Sequence, residues 1–255
     1  MSATGSLGYD HQFYADLEDT ALPSARIIVP MLRDWMVIDS VVDIGCGDGS
    51  WLSVFKETGS AQVLGLDGPW VDQDQLKIDA DSFARRALDQ SLDLGDRRFD
   101  LAMTLEVAEH LPPARAAGLV RELTAAAPVV FFSAATPDQG GAHHVNEQWP
   151  RYWADLFAQH GFKPVDAIRP RVWENPDVCW WYKQNCLLFV SREACAASPK
   201  LAALAAQSPA TPPALVHPEL FAQQVRLANP SLGRWLKQGR RALARSLAKR
   251  KAKRG

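Results

Sequence analysis

The chain has 255 residues, of which 47% are hydrophobic, and this suffices for one α/β domain with a substantial core. Its net charge is −1, and no apolar run approaches the ~20 residues of a membrane-spanning helix or follows a basic region as in a signal peptide. Four cysteines without CxxC spacing argue against a disulfide framework and a zinc site, so we expect a cytoplasmic protein.

Strand-like and helix-like patterns alternate along most of the chain. Residues 1–38 carry apolar and aromatic residues at helical spacing, which predicts two helices ahead of the first strand. Short apolar runs predict strands at residues 41–44, 61–66, 90–94, 99–105, 129–132, 162–169 and 184–190. Helical patterns between them cover residues 48–58, 114–126 and 149–160. This order predicts an α/β fold, a doubly wound Rossmann-like sheet that is mostly parallel with one antiparallel edge strand.

The composition changes after the last predicted strand. Residues 196–219 are rich in Ala, Pro, Ser and Thr, which predicts a linker between a domain of residues 39–195 and a tail of residues 220–255. Eleven basic residues and no acidic one follow Glu219, so the rest of the chain has 17 basic against 29 acidic residues. Leucines recur on one predicted helical face of the tail, at Leu232, Leu236, Leu243 and Leu247.

This basic amphipathic tail predicts a partner of opposite charge. We expect an anionic membrane surface, which would place the protein peripherally at the inner face of the membrane. RNA would attract the same charges, and a solvated tail without a partner is the third alternative.

The stretch VVDIGCGDGS, residues 41–50, predicts a buried strand that ends in a tight loop and opens a helix. Gly45 and Gly47 leave no Cβ between the backbone and a ligand, which favours a nucleotide-type pocket. Asp67 ends the next predicted strand 20 residues after Gly47, where its carboxylate can accept both hydroxyls of a ribose. Asp43 disfavours a pyrophosphate at this loop, because like charges would be brought together, and it suits a cationic ligand.

Three motifs in order resemble the class I S-adenosylmethionine (SAM)-dependent methyltransferases: VVDIGCGDGS, VLGLDG at residues 63–68 and FDLAMTLEVAEHLPP at residues 99–113. A dehydrogenase, the rival with the same topology, would carry GxGxxG rather than this GxGxG. The resemblance implies SAM as cofactor and residues 39–195 as its binding domain. The cofactor-binding residues that it implies are Asp43, Gly45 and Gly47 for the methionine end, Asp67 for the ribose, Asp93 for the adenine, and Leu105 and Glu106 at the fourth strand.

An ExxEH arrangement of Glu106, Glu109 and His110 follows the fourth predicted strand, and His144 lies in a polar segment after the fifth. His144 is a candidate general base for an acceptor hydroxyl, and His110 is a second catalytic candidate. The motif is also similar to the magnesium site of small-RNA 2′-O-methyltransferases, which implies Mg²⁺ ligands at Glu106, Glu109, His110 and His144. The alternative is that these residues cap a helix and pack without a metal.

The acceptor is predicted from the aromatic residues. Trp173 to Tyr182, with Trp149 and Trp153, could form a wall against a sugar ring or a flat substrate. We therefore predict O-methylation of a hydroxyl on a saccharide or related small molecule. A 2′-O-methyltransferase of RNA and a SAM-binding module without turnover remain as alternatives.

Overall fold

A computed structural model describes the chain from His11 to Asn229, with side chains from Ala21 onward. The chain divides after Leu215 into two compact units, and the sheet lies in the first. Residues 1–10 and 230–255 lie outside the described range, and with them most of the predicted basic tail.

The strands of the first unit form one mixed sheet. Their bounds are β1 Ser40–Ile44, β2 Gln62–Asp67, β3 Phe83–Arg85, β4 Leu101–Leu105, β5 Val129–Ser133, β6 Lys163–Val165 and β7 Leu187–Val190. They lie side by side in the order β3-β2-β1-β4-β5-β7-β6. All neighbours are parallel except that β7 runs antiparallel to both β5 and β6. The predicted Rossmann-like sheet with antiparallel pairing at its edge is confirmed, and the antiparallel strand lies one position in from that edge.

Helices cover both faces of the sheet. Their bounds are α1 His11–Trp35, α2 Ser50–Glu57, α3 Ala116–Ala126, α4 Pro150–Ala158, α5 Arg169–Val172, α6 Trp180–Asn185, α7 Arg192–Ala197, α8 Pro199–Gln207 and, in the second unit, α9 Pro218–Ala228. None of the helices within residues 11–229 is long and apolar enough to cross a bilayer.

The two faces of β5 show how the core is divided. Phe131 packs against Trp51 of α2 with ring centroids 5.5 Å apart, whereas the next residue, Phe132, packs against Phe157 of α4 at the same distance. Successive side chains of a strand point to opposite faces, so a continuous apolar run supplies both halves of the core. The layer of α1 and α2 and the layer of α3 and α4 therefore enclose the sheet.

The prediction of a third strand at residues 90–94 is wrong, because β3 is Phe83–Arg85. Leu88 and Leu92 are buried in the α3 and α4 layer without pairing to a strand. Residues 90–94 have the apolar pattern of a strand because Leu92 is buried, but their backbone is irregular.

Two predictions about helical segments also need correction. A single helix, α1, replaces the two predicted ahead of the first strand, and it continues through Pro23 and Pro30. Residues 196–219 are not a simple linker, since α8 lies within them and buries Leu201 in the core. Helix-favouring alanines explain α8, and the first unit consequently extends past residue 195 to Leu215.

Candidate active site

A cavity of about 820 Å³ opens at the carboxyl ends of β1, β2 and β4. Open α/β sheets bind ligands at this edge, and the volume is in the range of pockets that enclose small molecules. Its lining comes from the glycine loop after β1, residues 67–70 after β2, residues 87–90 after β3, residues 105–112 after β4, residues 139–145 and the start of α6. The cavity therefore collects nearly all the residues that the sequence motifs single out.

The glycine loop is shaped by two different constraints. Gly45 has φ +84°, and a Cβ there would overlap the Val107 side chain, so this position requires glycine. Gly47 has φ +55°, and a Cβ there would meet no atom within 4 Å. The space beside Gly47 belongs to the cavity, and its N–H is fixed by a 2.8 Å hydrogen bond to the Asp67 carboxylate.

Three carboxylates converge beneath this loop. Asp43 is buried, and burial raises its pKa well above the ordinary range, with the charges of Asp67 and Asp48 raising it further. Burial also raises the pKa of Asp67, while hydrogen bonds from the backbone N–H groups of Gly47 and Gly68 lower it. A cation placed in the cavity would relieve this accumulation of negative charge.

Asp93 does not line the cavity, contrary to the role that the resemblance implies for it. It lies exposed, with φ +47°, beside a separate surface depression. Asp89 lines the cavity instead, four residues earlier and shortly after β3. The prediction that Asp93 contacts the adenine depends on a third strand placed at residues 90–94. Since β3 ends at Arg85, the acid that lines the cavity after this strand is Asp89.

Glu106 is held by side-chain amides rather than by the histidines. Asn185 donates to its two carboxylate oxygens at 3.1 and 3.2 Å, and Gln139 donates to one of them at 3.1 Å. Burial raises the pKa of Glu106, and these hydrogen bonds, with one from Ser133, lower it. Its backbone has φ +56°, a conformation that costs free energy for a residue other than glycine and is common at functional sites.

Glu109 presents the opposite case, a buried carboxylate without hydrogen-bond partners. Its side chain is 0% exposed, and within the described part of the chain neither oxygen has a partner at hydrogen-bonding geometry. Burial raises its pKa well above the usual range and the neighbouring Glu106 adds to this shift, while the nearby backbone N–H groups of Glu109 and Ala135 lower it. An unpaired buried carboxylate is costly, so this group is expected to take up a proton or a cation.

The backbone carbonyl of Glu109 brings the polar segment containing His144 to this position. It accepts hydrogen bonds from the N–H groups of Val145 and Asn146, at 2.8 and 3.0 Å. The rings of His110 and His144 consequently meet edge to face with centroids 4.7 Å apart. Burial lowers the pKa of His110 to about 4, and His144 contributes to the shift.

His144 has a partner that the sequence motifs do not indicate. Its Nδ1 lies 2.9 Å from Oε1 of Glu147, and the Glu147 carboxylate also accepts the N–H groups of Asp138 and Gly140 at 2.8 and 3.1 Å. An ionised carboxylate only accepts, so Nδ1 of His144 carries the proton and Nε2 of the neutral ring is left as a base or ligand. The sequence indicates this pair only through the position of Glu147, three residues after His144.

The ligand atoms of Glu109, His110 and His144 lie within 4.8 Å of one another, close enough to hold one metal ion after small adjustments. The unpartnered Glu109 carboxylate and the Glu147 contact that orients His144 both fit such a site. Glu106 is outside this group, which corrects the four-residue set implied by the resemblance. Two imidazoles with one carboxylate suit Mn²⁺, Fe²⁺, Co²⁺ or Zn²⁺ better than Mg²⁺, which prefers oxygen ligands.

The charge of the cavity lining is one-sided. Among the described residues that line it there is no lysine or arginine. Its acidic residues are Asp43, Asp48, Asp67, Asp89, Glu106 and Glu109. The cavity consequently favours neutral or cationic molecules over anions.

The predicted aromatic wall is present only in part. Trp180, Trp181 and Tyr182 line the cavity, and the rings of the two tryptophans meet edge to face at 5.5 Å. Trp153 is buried against Phe132 in the core, while Trp149 and Trp173 do not line the cavity.

The chain is similar to known methyltransferases in sequence and in fold. A family model described as "Methyltransferase domain" matches residues 11–175. Similar solved structures include a candidate O-methyltransferase from Nostoc punctiforme, with 14% identity, a TM-score of 0.53 and coverage of 75% of this chain and 64% of that one. An O-methyltransferase family protein from Burkholderia thailandensis has 13% identity, a TM-score of 0.52 and coverage of 73% and 61%. The chain thus spans less than two thirds of the length of these two proteins.

The family match covers more than half of the sequence, and the chain belongs to the methyltransferase domain family. The sequence motifs resemble those of the SAM-dependent members of this class. A search of curated proteins found no significant match.

Proposed function

We propose that the protein transfers a methyl group from SAM to a hydroxyl of a neutral saccharide or a related small polyol. The observation that carries the proposal is the acidic cavity, whose described lining contains six carboxylates and no lysine or arginine. A polyanionic acceptor such as RNA, or a phosphorylated sugar, would meet these acidic groups without a lysine or arginine in the described lining to pair with its phosphates. A neutral polyhydroxyl molecule meets acceptor groups and an aromatic surface instead.

The aromatic surface fits the same class of acceptor. Trp180 and Trp181 line the cavity, and the C–H face of a sugar ring can pack against such aromatic side chains. Carboxylate and imidazole groups across the cavity can receive its hydroxyls. O-methylation therefore agrees with the lining better than methylation of a flat anionic substrate does.

The cofactor fits the glycine loop by shape and charge. Gly47 leaves the space beside its backbone open, and Asp43 and Asp67 supply negative charge at the carboxyl ends of β1 and β2. Asp43, Gly45 and Gly47 would hold the methionine end, Asp67 the ribose, and Leu105 with Glu106 the adjoining wall. When bound, SAM supplies a methyl group on a sulfonium cation, an electrophile that needs an aligned nucleophile.

His144 is the base that we assign to the acceptor. Nε2 would take the proton of the acceptor hydroxyl, and bound SAM would supply the methyl group to that oxygen, leaving S-adenosylhomocysteine and a methyl ether as products. Glu147 holds the ring through Nδ1 and stabilises the imidazolium that forms. The low pKa of His110 keeps its ring neutral beside the newly charged His144.

A divalent cation at Glu109, His110 and His144 is a second way to activate the same hydroxyl, favoured by the unpartnered Glu109 carboxylate. When bound, the cation would supply Lewis acidity toward the acceptor oxygen, and His144 would be a ligand instead of a base. Titration with Mn²⁺ distinguishes the two routes. Saturable binding that disappears in Glu109→Gln and His110→Ala, but not in the exposed control His160→Ala, would favour the metal.

The acceptor class is tested by methyl transfer from labelled SAM to a panel of neutral saccharides, phosphorylated saccharides and RNA fragments. We expect product with neutral saccharides, loss of turnover in His144→Ala, and retained turnover with a chelator if His144 acts as base. Transfer to RNA that is abolished by chelator and by His110→Ala would overturn the saccharide proposal in favour of RNA 2′-O-methylation. SAM binding without transfer to any acceptor class would also overturn it.

A further inference from the structure

Exposed apolar side chains are concentrated in one short part of the described chain. Eight large hydrophobic residues are exposed between Ala21 and Asn229, and half of them lie in residues 216–229. Two of the others, Trp70 and Val145, line the active-site cavity. The four that belong to the second unit are Val216, Phe221, Val225 and Leu227. A concentration of exposed apolar side chains in one short segment is typical of an interaction site.

Helix α9 presents part of this surface in an ordered form. Phe221 and Val225 lie one turn apart on the same helix face and are 63% and 43% exposed. The side chain of His217 accepts the N–H of Glu219 at the start of the helix, and Asn229 donates its side-chain N–H to the carbonyl of Val225 at the end. Capping at both ends holds the two apolar residues on a defined helix.

The sequence that follows α9 determines which partner this face suits. Beyond Arg226 the chain has ten further basic residues and no acidic residue, together with a tryptophan and several leucines. An anionic bilayer offers both the negative charge and an apolar layer below its headgroups. RNA could stack a base on Phe221, but it offers no apolar layer to cover Val225 and Leu227, so it matches the basic charges better than this apolar face.

We infer that residues 216–255 form a peripheral membrane-docking element, in which the exposed apolar face of α9 enters the headgroup region of an anionic leaflet and the basic tail binds its lipids. This inference does not depend on the acceptor proposed above. The docking element combines the exposed apolar residues of α9 with the basic residues that follow Arg226 in the sequence. Apolar insertion alone or basic charge alone gives only marginal membrane binding, whereas the two together can give stable binding.

The test is cosedimentation of the full-length protein with phosphatidylcholine vesicles prepared with and without phosphatidylglycerol. We expect binding only to the anionic vesicles, and weaker binding at high salt. Phe221→Ser/Val225→Ser removes the apolar face without adding charge and should reduce binding by roughly tenfold. Val37→Ser is the matched control, because Val37 is 79% exposed in the other unit and its loss should leave binding unchanged.

The charge contribution is tested in the same assay. Arg250→Glu/Lys251→Glu should weaken binding to anionic vesicles strongly, whereas Arg97→Glu/Arg98→Glu, two exposed arginines of the first unit, should not. A thermal shift with S-adenosylhomocysteine verifies that each variant is folded. Wild-type vesicle binding by Phe221→Ser/Val225→Ser would overturn the inference, as would tighter binding to single-stranded RNA than to the vesicles.

Discussion

Nδ1 of His144 lies 2.9 Å from Oε1 of Glu147, and the same carboxylate accepts hydrogen bonds from the backbone N–H groups of Asp138 and Gly140. One side chain therefore sets both the tautomer of the candidate base and the shape of the loop that carries it. Gly141 is part of this arrangement, because a Cβ at that position would overlap the His144 ring. The imidazole is thus held from two sides with Nε2 as its remaining functional nitrogen.

Replacing Glu147 with glutamine should lower kcat by about 10- to 100-fold, because the amide can no longer stabilise the imidazolium. The glutamine oxygen can still accept one of the two loop N–H groups, so the affinity for S-adenosylhomocysteine should change much less than kcat. The defect should shrink with acceptors whose hydroxyl is more acidic, since these depend less on a base. An equal loss with acidic and ordinary hydroxyls would indicate a purely structural role for Glu147.

Asp43→Asn should make the ligand-free protein more stable at neutral pH. The pKa of Asp43 is raised in the folded state, so its unfavourable contribution is absent below the unfolded pKa and grows as the pH rises toward the folded pKa. Urea unfolding at pH 4 and pH 7 measures this, and the gain should appear only at the higher pH. A variant that is less stable than wild type at pH 7 would contradict the charge argument.

The same substitution should discriminate between charged and neutral ligands. SAM carries a sulfonium cation and S-adenosylhomocysteine does not, so loss of the Asp43 charge should weaken SAM binding more than product binding. Calorimetry with both ligands provides the comparison. Equal weakening would mean that Asp43 acts by shape rather than by charge.

Asp67→Ala should raise the Kd for S-adenosylhomocysteine by about 10- to 100-fold, because it removes a charged acceptor that also holds Gly47 and Gly68. Asp93→Ala is the control that separates the two acids singled out in the sequence. Asp93 is exposed and outside the cavity, so its variant should bind the ligand as wild type does. A comparable loss in Asp93→Ala would show that the cofactor lies elsewhere.

Gly47→Ala tests whether the open space beside the loop is the ligand site. The positive φ should cost alanine about 1–2 kcal/mol in the free energy of unfolding. Gly95→Ala is matched to it, since Gly95 has φ +58° and a Cβ there would likewise meet no atom within 4 Å, but Gly95 lies outside the cavity. Both variants should lose similar stability, whereas only Gly47→Ala should lose affinity for S-adenosylhomocysteine. Unchanged affinity in Gly47→Ala would place the ligand away from this loop.

The parts of the site that follow directly from strand ends could be predicted from the sequence. Asp43, Gly45 and Asp67 end or follow adjacent parallel strands, and such ends meet at one sheet edge whatever the loops do. Asp93 could not be placed in this way, because β3 has only three residues and gives little periodic signal. The doubly wound, mostly parallel sheet was predictable from continuous apolar runs that alternate with helices.

The second layer of the site could not be predicted. Asn185 and Gln139 meet at Glu106 only because β7 inserts between β5 and β6, a pairing between distant segments that no local pattern encodes. Glu106 is bound by these amides and does not belong to the group of metal-ligand candidates. Polar residues that meet only in the folded sheet have no fixed spacing in the sequence by which they could be recognised.

The proposed function depends above all on an acidic cavity that selects a neutral hydroxyl acceptor. The decisive measurement compares kcat/KM for one saccharide acceptor with that for its phosphorylated counterpart, in the wild type and at fixed SAM concentration. We expect efficient methyl transfer to the neutral sugar and at least about a tenfold loss for the phosphorylated one, from repulsion in a cavity whose described lining has no lysine or arginine. Equal or better transfer to the phosphorylated sugar would refute this selectivity.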